Sequence, residues 1–128
     1  MKMIHPEGWA PAKGYANGVL GEGKVLFVAG QIGWDADQRM VPGGFLAQFE
    51  QALSNVVAVV DAAGGAADRL ARVVIYVTRI EDYRDNQKAV GSIWRACVGR
   101  HFPAMALVAV SALVEPDACV EIEAHALL

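Results

Sequence analysis

Apolar residues along this chain follow two rhythms, broken by short glycine-rich or polar stretches. Residues 15–20 read YANGVL and residues 24–30 read KVLFVAG, with Gly21-Glu22-Gly23 between them. Two apolar segments around a glycine-rich turn predict a β-hairpin. Residues 31–44 carry Gly33, Asp35, Asp37, Pro42, Gly43 and Gly44, which predicts a loop. From residue 45 to 63 the spacing becomes helical: Phe45, Phe49, Ala52, Leu53, Val56 and Val60 form one stripe, and Gly64-Gly65 closes it. Residues 70–77 (LARVVIYV) predict a strand. A second helix is expected over residues 81–98, with Glu81 and Asp82 at the positive end of its dipole and Tyr83, Val90, Ile93, Trp94 and Cys97 as its stripe. Strands at 105–110 and 119–126 complete the order ββ-α-β-α-ββ, an α+β pattern.

Two amphipathic helices cover only one face of a sheet. Yet residues 25–28 (VLFV), 73–77 (VVIYV) and 106–110 (ALVAV) are continuous apolar runs, as in strands buried on both faces. A chain of 128 residues makes one domain, spanning 1–128, with no spare element for the second face. A second copy of the chain is the expected cover.

Composition narrows the function classes. Lysine and arginine total 11 against 14 acidic residues, for a net charge of −3, and no basic run exists. Binding to nucleic acid calls for a clustered positive patch, and Arg69/Arg72 and Arg95/Arg100 read as ordinary solvated faces. Cys97 and Cys119 are too few for a disulfide framework and read as core residues. With no leader-like segment at the N-terminus and no apolar run of membrane-spanning length, the expectation is a soluble, cytoplasmic protein.

Chemistry concentrates on the last strand. Strand alternation puts Glu121, Glu123 and His125 on one face, with Ile122 and Ala124 on the other. From spacing alone two readings stand: a site for acid–base work or a metal, or a row that is solvated or paired across a subunit contact. His5, His101 and His125 lack the spacing of a zinc or iron site. No G-x-S-x-G elbow surrounds a serine, and no G-x-G-x-x-G opens a helix.

Several segments, taken in order, resemble the RidA/YjgF family of enamine/imine deaminases. They are Gly14-Tyr15-Ala16-Asn17-Gly18, Val28-Ala29-Gly30-Gln31-Ile32, Asp61-Ala62-Ala63-Gly64-Gly65, residues 74–77 with Asp82-Tyr83, His101-Phe102-Pro103-Ala104, and residues 115–124. The resemblance implies a chorismate-mutase-like fold: a mixed sheet with two helices on one face, in a homotrimer with a central barrel and clefts between subunits. It also implies hydrolysis of enamines and imines to carbonyl compounds, with small-molecule metabolites as partners and no cofactor. Carried over by position, Glu121 matches the glutamate that places the attacking water. Tyr15 matches a tyrosine closing the cleft, Gly30 and Gln31 the stretch lining it, and Met105 and Ala106 the substrate-binding start of the next strand.

The family's carboxylate-binding arginine follows Phe-Pro-Ala, and here that position is Met105. Methionine has no charged fork to offer, and a buried charge pair missing one partner loses about 2–5 kcal/mol of binding. Methionine instead gives a soft, polarizable wall suited to an apolar or aromatic group. Two readings follow: a hydrolase of altered substrate range with Glu121 activating water, or a metabolite-binding trimer without turnover. A third, ribonuclease or translation inhibition, is disfavoured by the acidic balance and the lack of a basic groove.

Overall fold

A computed structural model describes residues 1–128. In chain order the elements are β1 (Lys2–Ile4), β2 (Gly18–Leu20), β3 (Val25–Gln31), α1 (Gly44–Ala62), β4 (Leu70–Val77), α2 (Ile80–Arg84), α3 (Gln87–Cys97), β5 (Ala104–Ala109) and β6 (Val120–Leu127). Four strands form the main sheet in the order β3-β6-β4-β5, antiparallel except for the parallel pair β4 and β5. It is therefore a mixed sheet, as expected. No helix is long and apolar enough to cross a membrane.

The helical stripe reads out as packing. Phe49, Ala52, Leu53, Val56 and Val60 of α1 are buried, as are Val90 and Trp94 of α3, and both helices lie on one face of the sheet. Alternation along β6 supplies the other half of the core: Val120, Ile122, Ala124 and Ala126 are buried between sheet and helices. Full burial of side chains such as Leu53 and Ile122 contributes roughly 1.5–3 kcal/mol each. Gly64 takes the left-handed φ of 86° that closes α1.

Two expected elements differ. β2 and β3 do not form a hairpin; β2 pairs with β1 and β3 with β6. Local turn chemistry favours a reversal but does not choose the partner, and β6 offers a long strand with an apolar face. The glycines serve its arrival instead. Lys24 exchanges backbone hydrogen bonds with Leu128 (2.9 and 2.8 Å), and at Gly23, with φ 127°, a Cβ would stand 2.6 Å from the Leu128 carbonyl oxygen.

The helix expected over 81–98 is broken into α2 and α3. Asn86 separates them, its side chain donating to the Asp82 carbonyl (2.7 Å) and its amide to that of Tyr83 (3.0 Å). Asparagine competes in this way with regular helix continuation.

Opposite the helices, the register aligns Phe27 with His125, Tyr76 with Glu121 and Val108, and Val74 with Glu123 and Ala106. This face is bare. Phe27 is 73% exposed, with Val25 exposed on the same strand and Val108 exposed on β5 at the opposite edge.

One buried polar side chain ties the approach to β6 down. Gln48 on α1 donates to the Asp117 carbonyl (3.0 Å) and accepts from the Cys119 amide (2.9 Å). Replacing it with leucine strands both backbone groups. Gln48→Leu is expected to lower stability by about 1–3 kcal/mol, read as a shifted urea midpoint at unchanged slope.

Candidate functional site

Glu121 opens β6 on the bare face, half-buried, beside the bulge that interrupts the β3–β6 ladder between Val28 and Gln31. Gly30 lies in that bulge because a side chain there has no room. A Cβ would collide with the Glu121 carboxylate, 2.8 Å from its Cδ. Glycine thus admits the carboxylate to a hollow of about 350 Å³ lined by Gly30, Gln31, Ile32, Trp34, Asn55 and Glu121. Asn55, from α1, shapes this hollow by donating to the carbonyls of Ile32 (3.1 Å) and Trp34 (2.8 Å). Gln31 turns back on its own strand and donates to the Ala29 carbonyl (3.1 Å). Val114, 96% exposed, stands at the rim.

Tyr15, Met105 and Ala106 gather elsewhere. The segment carrying Tyr15 runs beside β5, fastened by the Ala16 amide to the Pro103 carbonyl (2.9 Å), and Tyr15 is 44% exposed. Register decides where the two β5 side chains go. Met105 aligns with buried Val73 and turns to the helix side, whereas Ala106 aligns with Val74 on the bare face. On the helix side lies a cleft of about 280 Å³ walled by Val90, Trp94, Phe102, Met105 and Leu107. On the other side Tyr15, Asn17, Arg72, Met105 and Ala106 border a hollow of about 330 Å³.

Glu121, Gly30 and Gln31 therefore lie at the β3–β6 end of the sheet, and Tyr15, Met105 and Ala106 at the β5 edge. With the order β3-β6-β4-β5, β4 stands between the two groups, and each lines its own cavities.

The neighbours of the Phe-Pro-Ala turn have structural work. His101 Nε2 contacts the Leu70 carbonyl (2.6 Å), and its own carbonyl accepts from Trp94 Nε1 (2.9 Å). Arg100 is exposed and borders a separate hollow with His5, Asn17 and Phe102.

Glu123 and His125 do share the face of Glu121. His125 meets the Phe27 ring edge-on, with centroids 5.1 Å apart, and Glu123 accepts a 2.5 Å hydrogen bond from the Tyr76 hydroxyl. No three metal-ligating side chains converge there. The bond to Glu123 raises the Tyr76 pKa, with partial burial and the Glu123 charge adding and Arg72 opposing. Burial raises the Cys119 thiol, with Asp82 adding to the shift, so it is a core thiol rather than a ready nucleophile. Asn55 and Arg72 were absent from the sequence-level site. The alternation Arg72, Val74, Tyr76 along β4 carried the signal for Arg72; a lone asparagine in an apolar helix was the signal for Asn55.

The model of the Endoribonuclease L-PSP family matches residues 7–128. The chain belongs to this family, also known as RidA/YjgF. A 2-iminobutanoate/2-iminopropanoate deaminase of Capra hircus is 32% identical over 88% of the chain and 78% of that protein. The RutC family protein UK114 of Drosophila melanogaster is 31% identical over 91% of the chain and 81% of its own length. Among solved structures, the Rid family protein YyfB of Yersinia pestis, of unknown function, superposes with a TM-score of 0.89 at 32% identity, covering 99% of this chain and 98% of the other.

The Tyr76–Glu123 bond is testable by titration. A raised folded-state pKa adds stability that is fully present below the ordinary tyrosine value of 10.0 and is lost as pH climbs through the folded value. One of the three tyrosines should therefore ionise above 10.0 by ultraviolet absorbance. Glu123→Ala should lower that transition and flatten the loss of stability at alkaline pH.

Proposed function

We propose that this protein is a cofactor-independent hydrolytic enamine/imine deaminase of altered substrate range, acting as a homotrimer. The observation that carries the reading is the Glu121 carboxylate, admitted to an open hollow by the missing side chain of Gly30. A half-buried carboxylate suits a general base that takes a proton from water. The water oxygen then bonds to the imine carbon while the nitrogen gains a proton, giving a carbinolamine. Collapse of that intermediate breaks the C–N bond and releases a carbonyl compound and ammonia or an amine. Relatives named 2-iminobutanoate/2-iminopropanoate deaminase are in keeping with this reading.

The split site and the bare face support assembly. Joining the Glu121 hollow of one copy to the β5 edge of another would bring Glu121 and Tyr15 to one cleft. Packing the faces that bear Phe27, Val25 and Val108 against one another would remove exposed apolar surface from water. By light scattering we expect three times the chain mass of 13.6 kDa. Phe27→Asp should lower that mass; a monomeric wild type would defeat the trimer.

Met105 favours a second reading, a binder without turnover, because it offers no cationic grip for a carboxylate. One panel separates the two: imines generated in situ from amino acids and from amines lacking a carboxylate, hydrolysed by wild type, Glu121→Gln and Met105→Arg. The deaminase reading expects activity on the carboxylate-free imines, reduced at least about 100-fold in Glu121→Gln with the assembly intact. Silence of the wild type on every imine, with activity gained on amino-acid imines in Met105→Arg, would favour the binder.

A further inference from the structure

One residue lining the cleft on the helix side of β5 brings no side chain to it. Gly91 sits inside α3, the helix Gln87–Cys97, where glycine weakens a helix relative to alanine. Backbone conformation does not call for it, since Gly91 is not among the glycines with positive φ. Packing does not call for it either, because a Cβ built there meets nothing within 4 Å. The space it leaves belongs to the cleft, which Gly91 lines together with its helix neighbours Val90 and Trp94 and, across from them, Phe102, Met105 and Leu107.

The walls define what fits. Ten of the fourteen lining residues are hydrophobic, and Lys13 is the one charged side chain among them. Trp94 is fixed by its bond to His101 and stacks on Phe102, with ring centroids 6.5 Å apart at 14°. At about 280 Å³ the cleft is near the lower end of small-ligand sites, roughly 300–1,000 Å³. It suits one substituent rather than a whole ligand. Rigid aromatic walls and the polarizable sulfur of Met105 suit a planar ring.

We propose that this cleft binds the aromatic or comparably bulky apolar substituent of the substrate, and that Gly91 is the residue setting its size. The identity of the reacting group rests on the deaminase reading above; the size preference does not. The substrate class is thus a carbonyl or imine compound with an arylalkyl arm and no need of a carboxylate grip.

Equilibrium binding of two neutral ketones, 4-phenyl-2-butanone and 2-butanone, to the assembled full-length protein tests this without requiring turnover. Calorimetry should show the phenyl ketone binding at least about ten-fold tighter. Gly91→Leu, which fills the cleft, should abolish that preference, and Gly91→Ala should reduce it part-way. Ser92→Ala, on the exposed side of the same helix, should leave it intact. Thermal melts guard against misfolding, and Gly91→Ala, whose added methyl meets open space, keeps the test decisive if the leucine variant does not fold. Equal affinity for the two ketones, or a preference undiminished in a folded Gly91 variant, overturns the proposal. A size preference without Glu121-dependent turnover leaves the cleft standing and defeats the deaminase reading alone.

Discussion

Helices on one side of a sheet leave the other side to water, and this constraint organises the molecule. The strands present apolar side chains in both directions, but α1 and α3 satisfy only one. Phe27, Val25 and Val108 are left bare, in register with a polar row made of Glu121, Glu123, His125, Arg72 and Tyr76. That mixed face is neither an ordinary solvated surface nor a finished core. It has the character expected of the centre of an assembly, where apolar groups supply contact area and the polar row is held in internal bonds such as Tyr76 to Glu123.

The same constraint accounts for the divided site. The Glu121 carboxylate proposed for catalysis and the cleft proposed for recognition lie apart within one chain, with β4 between them. Joined between chains, as proposed, they would complement one another. Chemistry would then depend on assembly, because no single copy holds both parts. Family membership is shared with deaminases, yet Met105 brings an uncharged side chain and Gly91 no side chain at all to the cleft beside β5. Both leave the cleft apolar and open.

Much of this was legible in the sequence wherever a signal is local. The alternation Val120, Glu121, Ile122, Glu123, Ala124 fixed which residues share a face, and the Phe49-to-Val60 stripe identified the helix that covers the core. Non-local choices were not legible. The glycines at 21 and 23 suit a hairpin turn equally well as the close passage of a distant strand, and only tertiary competition decided for the latter. The break at Asn86 falls in the polar stretch between Tyr83 and Val90, two residues a whole number of turns apart, so a helical spacing runs across it and does not mark it. Nothing in the sequence sets Gly91 apart from any glycine in a helix, since a Cβ there would face open space.

The strand at the middle of the sheet, β6, is the last of its four strands in sequence, and it is the neighbour of both β3 and β4. During synthesis β3 and β4 emerge long before the strand that separates them, so the sheet has no early native ladder between its two halves. Only β4 and β5 can pair beforehand, in a parallel arrangement. Residues up to 127 must clear the ribosome before the core closes, and loop-closure entropy makes such long-range pairing slow. Until then the apolar runs are exposed together, and the nascent polypeptide depends on cellular chaperones or on speed to avoid aggregation.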